Sequence, residues 1–110
     1  MLNMAAIELN HKEFNEYLHS GKPLLVDYWA PWCGYCRRIA PAYERLARDW
    51  ADKVTIAKVN IDFEDKLAIQ EHIEVIPTLV LYKDGQALGS IVAPESKAMI
   101  EDFLNRTLEG

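Results

Sequence analysis

The stretch Leu24-Leu25-Val26-Asp27-Tyr28-Trp29-Ala30-Pro31-Trp32-Cys33-Gly34-Tyr35-Cys36 decides how the rest of the chain is read. Its first seven residues are nearly all apolar, as a central strand covered on both faces requires. The chain's two cysteines follow at once, and from Cys33 onward Ile39, Tyr43, Leu46, Ala47 and Trp50 recur at helical spacing. A strand that ends in a dithiol opening a helix puts one sulfur at the helix N-terminus. There the macrodipole and free backbone N–H groups favour the thiolate, the form that attacks disulfides. Asp27 is the one carboxylate in the apolar run. A buried, unpaired charge is expensive, so this residue must be neutral, paired or functional.

Outward from this stretch, strands and helices alternate. Met4 to Leu9 is expected as a short first strand. Asn10 can cap a helix with Glu13 in capping-box position, and Phe14, Tyr17 and Leu18 supply its apolar face. Gly21-Lys22-Pro23 ends it. Val54 to Val59 reads as a buried strand and Asp65 to His72 as a short helix. Thr78 to Tyr82 and Ala87 to Val92 form a hairpin around Asp84-Gly85. Ser96 caps a last helix whose Ile100, Phe103, Leu104 and Leu108 face inward. The order βαβαβαββα predicts an α/β fold: a mixed sheet of about five strands flanked by four helices, the early strands parallel. Cys33 falls beyond the carboxyl end of a parallel strand, where active groups of open α/β sheets lie. Phe63, Tyr82, Phe103 and Trp50 are expected in the core, and Glu64-Asp65 as a solvated helix start.

A chain of 110 residues, half of them hydrophobic, makes one globular domain spanning 1–110. The net charge of -5 argues against nucleic acid or an acidic membrane surface as partner. No stretch reads as a signal peptide or a membrane span, and two cysteines make no structural disulfide framework. The expected setting is cytoplasmic and reducing, and a monomer is expected. Tetrahedral zinc needs four ligands, and His11, His19 and His72 show no pattern that completes a site with the two cysteines, so no metal or cofactor is expected.

The run Val26 to Cys36, with Ile39-Ala40-Pro41 after it and Ile76-Pro77-Thr78 later, resembles the thioredoxin family from about Ile7 to Leu108. The resemblance implies the thioredoxin fold and a thiol–disulfide oxidoreductase that reduces protein disulfides. It also implies recharging by a flavin-containing, NADPH-dependent thioredoxin reductase. Cys33 is then the nucleophile and Cys36 the resolving thiol. By the same resemblance Asp27 exchanges a proton with Cys36. Lys58, in Ile56-Ala57-Lys58-Val59, is its partner if the two strands are neighbours; a purely structural ion pair is the alternative. Ile76-Pro77 would carry a cis peptide bond packed against the cysteines, leaving backbone free to pair with an extended substrate. Pro41 should kink its helix. Trp29 reads as core and Trp32 as part of the substrate surface.

The chain departs from the family at two places. Tyr35 stands where thioredoxins generally carry proline, and the Gly34-Tyr35 dipeptide sets the balance of dithiol and disulfide, so a less reducing protein is expected. Ala93, in Val92-Ala93-Pro94, stands where glycine is common, and its methyl and the rigid Pro94 narrow the substrate groove. A disulfide oxidase or isomerase, and a binding module without enzymatic activity, are the alternative readings.

Overall fold

The apolar run Leu24–Trp29 forms the central strand of a mixed sheet in the computed structural model, which describes residues 6–110. The elements are β1 (Ile7–Glu8), α1 (His11–Leu18), β2 (Leu24–Trp29), α2 (Gly34–Trp50), β3 (Thr55–Asn60), α3 (Asp65–Gln70), β4 (Thr78–Lys83), β5 (Gln86–Val92) and α4 (Lys97–Glu109). The sheet order is β1-β3-β2-β4-β5. The first three of these are parallel, while β4 runs against β2 and β5 against β4. Between β3 and β4 the helix α3 is short, its six residues rising about 9 Å against about 20 Å for a six-residue strand. The antiparallel β4 enters the sheet at the end where β3 left it.

Strand periodicity divides the core in two. Leu25 joins Ile56, Leu79 and Leu81 on the face covered by Tyr43, Leu46 and Ala47 of α2 and by Ile100, Phe103 and Leu104 of α4. Leu24, Val26 and Tyr28 face the other way, toward Phe14 of α1 and Leu67 of α3. Two residues on from Leu25, Asp27 shares its face and lies beneath α2. Tyr28 and Tyr82 meet in the second core, their hydroxyls 2.7 Å apart, and Tyr82 donates onward to Glu71 at 2.8 Å.

The local signals act as expected. Asn10 Oδ1 accepts the Glu13 N–H at 2.8 Å while Glu13 Oε1 accepts the Asn10 N–H at 3.0 Å. Ser96 Oγ accepts the Met99 N–H at 3.1 Å. Asp84 and Gly85 both have positive φ, 54° and 81°, as a two-residue hairpin turn of the primed kind demands. The helix α2 is continuous through Pro41, whose missing N–H leaves the Arg37 carbonyl without its i+4 donor.

Several expectations change. Of the expected strand Met4 to Leu9, Met4 and Ala5 lie outside the described residues, and the observed strand is Ile7–Glu8. The α3 helix closes at Gln70, short of His72. Phe63 is 80 % exposed rather than core. The strand period stops at Asn60, and Phe63 sits in the following turn, its N–H bonded to the Asn60 carbonyl at 3.2 Å. Trp50 is only half-buried, because its Nε1 donates to Glu101 at 3.1 Å. Glu64 is more than a solvated charge, since its Oε1 accepts the free His11 N–H at the start of α1 at 3.3 Å.

Candidate active site around the dithiol

Cys33 is the N-cap of α2, and its Sγ takes the capping role usually filled by an oxygen, accepting the Cys36 N–H at 3.1 Å. The two cysteines are joined as a disulfide with their Cα atoms 5.2 Å apart. Both are buried, Cys33 (8 % exposed) less deeply than Cys36 (3 %). Once the disulfide opens, a negative sulfur at Cys33 would sit on free N–H groups at the positive end of a 17-residue helix. Ala30 completes a small cluster with the pair, against which Trp29, Tyr35, Ile61 and Ile76 pack. Gly34 opens the helix in free space: a Cβ there would meet only Arg37 Nη2, at 4.0 Å.

The strand register brings Lys58 directly opposite Asp27, as neighbouring strands were expected to do. Among the described residues, however, the two side chains form no ion pair within 4.0 Å, and Asp27 Oδ1 has no hydrogen-bond partner. The Lys58 ammonium lies instead over the Trp29 ring, 4.5 Å from its centre. Burial therefore dominates at Asp27: it pushes the carboxyl up from 3.8 to about 7, with Lys58 opposing the rise and Glu8 adding to it. Tyr43 of α2, fully enclosed on the same face, places its hydroxyl 2.7 Å from the Ala57 carbonyl and 3.3 Å from that of Leu25. Trp29 is half-buried rather than core, its Nε1 donating to Glu8 at 3.2 Å.

Of the remaining candidate residues, Tyr35 and Ile76 pack against the dithiol. The Ile76-Pro77 peptide bond is cis, Pro77 is buried, and its carbonyl accepts the Ala93 N–H at 2.9 Å. Trp32 is 66 % exposed, with Nε1 donating to Asp62 Oδ1 at 3.1 Å. The Tyr35 hydroxyl donates to the Pro94 carbonyl at 3.0 Å, tying the dithiol helix to the segment that carries Ala93. Ala93 adopts φ +46°, the left-handed region that glycine occupies without penalty. An Ala93→Gly variant should relieve about 1 kcal/mol of that strain and lose about half of it to unfolded-chain entropy. Chemical denaturation should therefore show a net gain of about 0.5 kcal/mol; a loss would mean that the methyl contributes packing.

The sequence assigns no role to Glu8, and it gives Pro94 one in the substrate groove but not as the acceptor of the Tyr35 hydroxyl. The signal for Glu8 was present as a charged residue in a short strand, but only the β1–β3 register reveals that it lines up with Lys58.

The thioredoxin family model matches residues 5–106 of the chain. Thioredoxin 1 of Synechococcus elongatus is 42% identical over 93 residues, covering 84% of this chain and 87% of that protein. The thioredoxin of Alicyclobacillus acidocaldarius is 39% identical over 105 residues, covering 96% of this chain and all (100%) of that protein. The crystal structure of Malassezia sympodialis thioredoxin superposes with a TM-score of 0.85 at 25% identity, covering 97% of this chain and 94% of that one.

Proposed function

The chain belongs to the thioredoxin family and is a thiol–disulfide oxidoreductase, and within that activity we propose that Cys33 attacks and Cys36 resolves. The Cys33 thiolate attacks one sulfur of a substrate disulfide, forming a Cys33–substrate bond and expelling a substrate thiolate. Cys36, deprotonated, then attacks Cys33 Sγ. A Cys33–Cys36 disulfide forms as the second substrate sulfur leaves as a thiolate, both substrate thiolates take up protons from solvent, and two electrons have passed from the pair to the substrate. The observation that carries this assignment is the capping position of Cys33, where its sulfur already accepts the Cys36 N–H.

Asp27 takes the Cys36 proton, acting from beneath the first turns of α2. Its burial supports this role, because a carboxyl pushed up to about 7 can both accept and release a proton at neutral pH. Lys58 modulates that carboxyl from the next strand rather than by a direct bond. Substrate lies across Trp32, Gly34-Tyr35, Ile76-Pro77 and Ala93, with its backbone along Ile76. Disulfide-containing proteins are the substrates, an NADPH-dependent thioredoxin reductase the electron donor and the cytoplasm the setting. No described helix is long and apolar enough to cross a membrane.

Turnover of insulin disulfides with dithiothreitol, and then with NADPH and a thioredoxin reductase, tests the assignment; no turnover with either donor would leave only a binding role. A second measurement concerns Tyr35. Tyr35→Pro restores the family's usual dipeptide and fixes φ early in the helix, where proline is tolerated. It also removes the hydroxyl bonded to Pro94. The variant should be the stronger reductant, by about 30 mV or about 1.4 kcal/mol, on equilibration against a glutathione buffer. An unchanged potential would assign Tyr35 to substrate contact instead.

A further inference from the structure

Three charged side chains stand in one row across the sheet. Glu8 on β1 is the register partner of Lys58 on β3, and Lys58 is the register partner of Asp27 on β2. Register partners project from the same face, so a single ammonium is flanked by two carboxylates. Trp29, two residues beyond Asp27, fixes the arrangement. Its Nε1 lies 3.2 and 3.3 Å from the two Glu8 carboxylate oxygens, while the Lys58 ammonium rests 4.5 Å above its ring.

We propose that Glu8 is a positioning residue that sets the charge state of Asp27: held by Trp29, it shares Lys58 and leaves Asp27 short of a counter-ion. Two effects act in the same direction. The Glu8 charge repels a second negative charge at Asp27, and the one ammonium acts on both carboxylates instead of on Asp27 alone. Glu8 is exposed, which keeps it charged at neutral pH although burial of part of its carboxylate raises its own proton affinity.

The other groups facing Asp27 leave this role to the row. From α2, Tyr43 stays a neutral phenol because burial holds it well above the usual tyrosine range. Glu44, also on α2, is engaged with the Ala6 N–H at 3.2 Å. The cysteines at the start of α2 are uncharged as a disulfide. From β4, the register partner of Asp27 is Leu79, and α4 contributes the apolar Ile100, Phe103 and Leu104 to this core.

The catalytic consequence rests on Asp27 as the proton group for Cys36, whereas its charge state can be read directly. The test is a carbon-13 carboxyl titration of Asp27 in the oxidised protein, for the unmodified chain, Glu8→Gln and Glu8→Asp, with the pH profile of insulin reduction beside it. The Asp27 midpoint should fall by about half a pH unit or more in Glu8→Gln and stay near its original value in Glu8→Asp. The activity profile of Glu8→Gln should shift to lower pH by the same amount. A midpoint that stays or rises in Glu8→Gln overturns the proposal and leaves the role of Asp27 intact. A midpoint that falls while the activity profile stays supports the Glu8 assignment and removes Asp27 from the proton path.

Discussion

Cys33→Ser reduces insulin disulfide turnover to background, a loss on the order of 10³-fold or more, because the remaining thiol, Cys36, is buried more deeply and lacks the capping position. Cys36→Ser behaves differently. Its Cys33 still attacks, but the mixed disulfide has no internal thiol to release it, so covalent adducts with substrate accumulate. The two outcomes separate on a non-reducing gel: no adduct for the first variant, stable adducts for the second. Brief alkylation of the reduced protein at neutral pH gives an independent check, with Cys33 labelled first. Priority at Cys36 would exchange the two roles, against the capping geometry.

Asp27→Ala carries the second large effect, and it moves stability and activity in opposite directions. The carboxyl has an ordinary value of 3.8 and sits at about 7 in the folded, oxidised protein. Between those two values the native state binds more protons than the unfolded chain, so stability is full below 3.8 and declines as pH rises through about 7. At about 1.4 kcal/mol per unit, the decline comes to about 4 kcal/mol. The alanine variant lacks this decline and should be the more stable protein at pH 8, with little difference at pH 4. The absence of a close Lys58 partner makes the gain possible, since a tight pair would leave a stranded ammonium behind. Disulfide reduction should slow most around neutrality, where Asp27 is partly ionised and Cys36, with an ordinary thiol value near about 8.5, still needs a base. Denaturant titrations of the oxidised protein from pH 4 to 8 check the first claim. An activity profile identical to that of the unmodified protein would confine Asp27 to a structural role.

The architecture was legible because its signals are local. A nearly continuous apolar run reads as a central strand, a helix-period pattern after Cys33 fixes α2, and Asn10, Ser96 and Asp84-Gly85 each announce a boundary. The dithiol's place at a helix start was legible for the same reason. What the sequence withheld depends on where long side chains turn. Asp27 and Lys58 could be matched only conditionally, and their register is right, yet the ammonium chooses the face of Trp29 over a carboxylate. Phe63 has the composition of a core residue, but a turn carries it outward. Glu8 carried no signal of its place, because its match with Lys58 depends on the register of a strand only two residues long.

The hydrogen bond from Tyr35 to the Pro94 carbonyl joins two segments 59 positions apart. They form one structural unit. Ala93, in the left-handed region and bonded through its N–H to Pro77, fixes the direction in which the next carbonyl points. In a chimera with a relative, any crossover between positions 35 and 94 separates the phenol from the segment that presents its acceptor. One product keeps a tyrosine facing a foreign loop, and the reciprocal one keeps the loop beneath a proline that has no hydroxyl to offer. Parents can be recombined without splitting the unit only at junctions ahead of Tyr35 or beyond Pro94.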